Sequence, residues 1–110
     1  MTYSNIAVTK LNVKDLCGSS TLTRTDGHKL FKFILSHWED PKIIEVDFGN
    51  RVIASVSFLD EALGQLALRF DREELGSKLK LSRIASNDKK LLNEIINSRY
   101  REKIKTKKAA

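Results

Sequence analysis

The sequence predicts a single small α/β domain, in which a mainly parallel or mixed four-stranded sheet carries about three helices. Three observations predict it. Short β-rich runs alternate with stretches whose apolar residues recur at helical spacing. At 110 residues the chain has the common size of one domain and no room for a second core. Hydrophobic residues at 41% and charged residues at 31% exclude wholesale disorder. Strands alternating with helices call for right-handed crossovers, hence the mainly parallel sheet.

Residues 5–11 form the first strand, with Ile6, Val8 and Leu11 apolar. Gly18-Ser19-Ser20 marks a turn, and Thr21-Leu22-Thr23 is a second short strand beside the first. Thr25-Asp26-Gly27 has the chemistry of a helix start. Over residues 27–38, Leu30, Ile34 and Trp38 build an apolar stripe flanked by Phe31, Phe33 and Leu35. Glu39-Asp40-Pro41 ends that helix, because the residue before proline is pushed out of the helical region. Residues 42–48 read as a buried central strand through Ile43, Ile44, Val46 and Phe48.

Gly49-Asn50 is a turn, and residues 52–56 are an apolar approach to the next helix. Ser57, with Asp60 three residues on, nearly matches a capping box. The helix runs to about Phe70 with Leu59, Leu63, Leu66 and Phe70 inside, Ala62 and Ala67 allowing close approach, and residues 71–76 closing it. Residues 78–84 alternate as a strand, Leu79 and Leu81 inward, Lys78, Lys80 and Ser82 outward. Ser86-Asn87-Asp88 caps a last helix through about Ile104, with Leu92, Ile95 and Ile96 as its inner stripe.

The net charge of +6 is concentrated at one end. Arg99, Arg101, Lys103, Lys105, Lys107 and Lys108 face a single acid, Glu102, which leaves residues 1–98 nearly neutral. The chain therefore divides into a domain, residues 1–98, and a basic helix end or tail, residues 99–110. Such a tail suits a solvated helix terminus, where cations are favoured, or a contact with phosphates. The six cations are the candidate residues for nucleic acid. Tyr100, between Arg99 and Arg101, is the one aromatic set among basic residues.

Most catalytic readings fail on spacing. The five glycines form no phosphate loop. His28 and His37 lie about two and a half helical turns apart, without companions at metal spacing. Cys17 is alone, too few for a disulfide or a zinc site. The pairs Glu39-Asp40, Asp60-Glu61 and Glu73-Glu74 diverge, because adjacent helical residues point apart. Asp47 is different: it sits in an apolar strand near its C-terminal end, either at the sheet edge where α/β sites form or facing a solvated loop or capping a neighbouring turn. No enzyme, metal or cofactor is expected. Nor is a membrane span, since no apolar run approaches its length of about 20 residues. The N-terminus lacks a signal-peptide pattern, so the expected location is cytoplasmic.

The strand end Val46-Asp47-Phe48, a short link and the helix start Ser57-Phe58-Leu59-Asp60-Glu61 have a recognisable shape. Arg24-Thr25-Asp26-Gly27 and Leu79-Lys80-Leu81 fit the same pattern. The chain resembles the small STAS-like domains of bacteria and their mobile elements, related to the anti-sigma-factor antagonists. The resemblance covers about residues 20–100. It implies a non-catalytic regulatory module that docks a histidine-kinase-like ATPase, with a serine at the corresponding helix start as phospho-acceptor. On this chain the acceptor candidates are Ser57 and Ser55. The turn Ala54-Ser55-Val56-Ser57 lacks the aspartate and glycine of the antagonists' Asp-Ser-Ser-Gly-type turn. On physical grounds alone Ser57 is a helix N-cap. The expected docking surface is the turn and helix start of residues 49–62, and the expected partner-binding residues are Asp47, Asn50, Phe58, Asp60 and Glu61. Phe58 is expected to be exposed unless it staples the start of its helix.

Overall fold

The computed structural model describes residues 8–17, 22–39 and 43–109, with side chains through residue 104. The elements run β1 (Val8–Asn12), α1 (Val13–Cys17), α2 (Arg24–Ser36), β2 (Ile43–Asp47), α3 (residues 56–69), α4 (Arg72–Lys78), β3 (Leu79–Ser82) and α5 (Ser86–Ala109). The sheet order is β1-β2-β3, all parallel, with Leu11, Val46 and Leu81 in register. Both crossovers advance the same way, and right-handed crossovers then place their helices on one face. Alternation agrees. Leu11, Ile44, Val46, Leu79 and Leu81 face the helices, whereas Lys10, Glu45 and Lys80 stand in register on the other side. That side is polar, with Lys10 Nζ 3.9 Å from Glu45.

The core is organised around α3. Phe58, Leu59, Ala62, Leu63, Leu66 and Ala67 are completely buried, against Leu30 and Ile34 of α2, the sheet, and Leu92 of α5. α2 can cross α3 this closely because residue 27 is glycine: a Cβ there would sit 2.7 Å from the Phe58 carbonyl oxygen. α3 is not uniform. α-Helical turns at Val56–Leu59 and Gln65–Arg69 flank a π-helical turn at Asp60–Gly64, a distortion often found at functional sites.

Several expectations change. Three strands and five helices stand among the described residues, rather than four and about three. Leu22 and Thr23 are not strand (Thr21 lies outside the described residues, as do residues 5–7 and 40–42). Thr23 is instead the N-cap of α2, which therefore starts before Thr25. Its hydroxyl accepts from Asp26 N at 3.3 Å while Asp26 Oδ2 accepts from Thr23 N at 3.0 Å, a full capping box. Residues 71–76 do more than close α3. Asp71 caps a separate helix, α4, by accepting from Glu74 N at 2.8 Å. Phe70, in extended backbone, makes the break and stacks on Trp38 with centroids 4.3 Å apart.

Candidate functional site

The carboxyl end of β2 leads into a loop, residues 48–55, whose shape two buried carboxylates impose. Asp47 is 1% exposed although it lies on the polar face of the sheet. Its Oδ1 accepts from Gly49 N at 2.8 Å and from Arg83 Nε at 2.9 Å, and its Oδ2 accepts from Arg83 Nη2 at 2.6 Å. The Arg83 guanidinium, then the Gly49 N–H, hold its carboxyl well below the usual range, at about 2. Asp47 is thus an anchor, permanently ionised near neutrality. Gly49 and Asn50 take left-handed backbone, φ 62° and 60°, and Asn50 N donates to the Arg83 carbonyl at 2.8 Å.

Asp88, in the first turn of α5 and 2% exposed, fixes the far half of the loop. Its two oxygens accept from Ile53 N at 2.6 Å and Ala54 N at 2.8 Å. Ala54, at φ 49°, holds a conformation that a residue with a Cβ seldom adopts. Between these anchors, Val52 is 68% exposed, and Val56, opening α3, is 56% exposed. Val56 also lines a shallow groove of about 420 Å³ between α3 and α5 with Leu91, Glu94, Ile95 and Ser98.

The structure redistributes the roles of the site residues read from sequence. The N-cap of α3 is Ser55, which accepts from Phe58 N at 3.2 Å, and not Ser57. Ser57 lies inside the first turn, with Arg24 Nη2 donating to its hydroxyl at 3.5 Å. Phe58 is wholly inside the core: the helix is capped two residues earlier, at Ser55, and Phe58 falls on its inward side. Its ring is no contact surface. Asp60 makes no capping box; it receives a two-pronged contact from Arg99, with Nε at 2.8 Å. Asp60, with Glu102, holds the Arg99 guanidinium more firmly protonated than usual. Glu61 joins Arg24 Nη1 at 3.2 Å and His28 Nδ1 at 3.3 Å. Asn50 is exposed at the loop tip.

The basic end is the last part of α5. Arg99 and Lys103 are engaged on the body, the latter donating to the Phe70 carbonyl at 3.3 Å. Arg101 is exposed, while the side chains of Lys105, Lys107 and Lys108 lie outside the described residues. Tyr100 packs under the Arg72 guanidinium, 4.5 Å from its ring centroid. Cys17 stands beside the Asp26 carbonyl, and burial raises its thiol pKa. Among the described residues no three His, Cys, Asp or Glu side chains converge as metal ligands. No helix among them is long and apolar enough to cross a membrane.

Sequence reading took Val52 and Val56 into the 49–62 surface without singling them out, gave Asp88 only a capping role, and missed Arg83. The pairs that make the anchors are separated by about 35 residues, beyond any local signal.

Fold and site define a small parallel α/β domain with helices on one face and a clamped loop at the carboxyl edge of its central strand. Residues 26–89 match the family described as STAS-like domain of unknown function (DUF4325), and the chain belongs to that family. The match covers more than half of the chain and includes both anchors of the loop. No curated protein and no solved structure matches the chain.

Proposed function

We propose that this domain is a non-catalytic regulatory module that docks a kinase-like ATPase through the turn and helix start of residues 49–62. One observation carries the reading: Val52, on a loop whose shape Asp88 and the Asp47–Arg83 pair fix in advance, and Val56, which opens the helix after it, are both exposed. Apolar side chains held out on a rigid segment lose little entropy on binding, so preorganisation favours docking. Asn50 is exposed at the tip of this loop, Glu61 is turned to Arg24 and His28 of α2, and Asp47 and Asp60 act as anchors.

Within this reading Ser57 is the phospho-acceptor and Ser55 is not, because the Ser55 hydroxyl is committed to its cap. A phosphate on Ser57 would meet the free N–H groups of the first turn and the Arg24 guanidinium. It would also meet Glu61 and displace it from Arg24.

The test is capture of the tagged chain from its host and identification of the bound protein. An ATP-binding partner that is retained by the wild type and lost from Val52→Asp/Val56→Asp, with the circular dichroism unchanged, is the expected result. A partner held equally by both proteins removes the surface. Incubation of partner, ATP and domain then decides the switch by intact mass: no phosphate on Ser57 leaves a constitutive docking module.

A further inference from the structure

Folding sorts the charges of this chain unevenly. Among the described residues three carboxylates, Asp26, Asp47 and Asp88, are buried, and no lysine or arginine is. The surface is therefore more basic than the composition, and α2 shows it best. Its outward side carries Arg24, His28 and Lys32 at every fourth position, one row with steps of about 6 Å along the axis. Lys29 stands beside that row, three residues before Lys32. All four are exposed, and neither Lys29 nor Lys32 makes an ion pair among the described residues. Arg69, at the end of α3, extends the face. Its guanidinium lies over the Phe31 ring, 5.5 Å from the centroid, and Phe31 follows Arg24 by seven residues, about two turns, on the same side of α2.

We propose that this face binds the phosphate backbone of a nucleic-acid duplex. The lack of apolar groups on it selects the partner. The exposed large hydrophobic residues are Val8, Val52, Val56 and Ile104, none of them on α2, whereas Leu30, Phe31 and Ile34 are buried. A protein partner needs an apolar centre to its contact, and a helix lying on a membrane needs an apolar face to sink into it. A phosphate backbone needs only cations, whose binding releases its condensed counterions. Charge density favours a duplex over an acidic chain. The duplex carries one charge about every 1.7 Å of axis, against one about every 3.3 Å along an extended acidic peptide. The face is separate from the basic end of α5, and it meets residues 49–62 where Arg24 and His28 contact Ser57 and Glu61.

Fluorescence anisotropy of a labelled DNA duplex of about 20 base pairs, titrated with the purified full chain, tests this. Binding weakens about a hundredfold between about 50 and 200 mM salt, as about four phosphate contacts require. Lys29→Gln/Lys32→Gln makes the logarithmic salt slope shallower by about two and lowers affinity at least about tenfold, whereas Lys29→Arg/Lys32→Arg keeps both. Both positions are exposed and glutamine is a good helix former, so circular dichroism stays unchanged. Lys89→Gln/Lys90→Gln, at exposed positions of α5, is the matched control and leaves affinity within about twofold. No binding at about 50 mM salt, a Lys29→Gln/Lys32→Gln protein that binds as wild type does, or a loss confined to Lys105→Gln/Lys107→Gln/Lys108→Gln overturns the proposal. So does retention on phosphatidylserine vesicles without duplex binding, or displacement of the duplex by an equal charge of poly-glutamate. No ATPase is present in these measurements, so their outcome is independent of the docking reading.

Discussion

Replacing Asp88 by alanine removes one carboxylate and disconnects two elements. Asp88 is 2% exposed and accepts from Ile53 N and Ala54 N at 2.6 and 2.8 Å. Hydrogen bonds to a charged group contribute about 1.5–3 kcal/mol each. A carboxylate in the first turn of a helix adds about 0.3–1 kcal/mol. Some of the freed N–H groups regain water because the loop is half exposed, so the expected loss for Asp88→Ala is about 3–5 kcal/mol. Asp88→Asn keeps one acceptor and turns an amide N–H against the other donor, for a loss of roughly 2–3 kcal/mol. In a domain this size each kcal/mol lowers Tm by about 4–8 °C, so Asp88→Ala should melt at least about 12 °C below wild type. Thermal and urea unfolding read the magnitude, and amide hydrogen exchange reads the place, with Ile53 and Ala54 losing protection first. A loss under about 1 kcal/mol, with both amides still protected, would refute the clamp.

Two further outcomes follow from distances already given. The folded pKa of Asp47 is about 2, below its ordinary 3.8, so its stabilisation is fully present above about pH 4 and disappears as pH falls through 2. Wild type should therefore lose stability more steeply between pH 4 and 2 than Asp47→Asn does; parallel curves in acid urea titrations would contradict the pairing with Arg83. Gly27→Ala places a methyl 2.7 Å from the Phe58 carbonyl oxygen and should cost about 2 kcal/mol despite alanine's better helix propensity. Gly76→Ala in α4 meets nothing within 4 Å and should gain about 0.5–1 kcal/mol, which makes it the matched control in the same melts.

Local signals made much of the fold legible. Periodicity in Leu59, Leu63 and Leu66 and the apolar run at Ile43, Ile44 and Val46 named the core helix and the central strand, because burial imposes those patterns directly. Cap positions slipped by two residues at both α2 and α3, since Thr23 and Ser55 compete with Thr25 and Ser57 that carry equivalent hydroxyls. α4 went unread because seven residues with a single buried side chain, Leu75, leave no apolar stripe to detect. The site was less legible than the fold. Its anchors join β2 to Arg83 and the loop to Asp88, and such pairings come into being only when the chain is folded.

The clamp on residues 53 and 54 comes from a helix that follows them in the chain. A ribosome delivers the loop first and Asp88 later. Until α5 has emerged and docked, the Ile53 and Ala54 N–H groups lack their acceptor, and nothing holds Ala54 in its left-handed backbone. The loop is therefore among the last parts of the domain to take shape during synthesis. A nascent chain that ends before α5 presents Val52 on an unshaped segment. The shape of the loop thus registers whether α5 has docked.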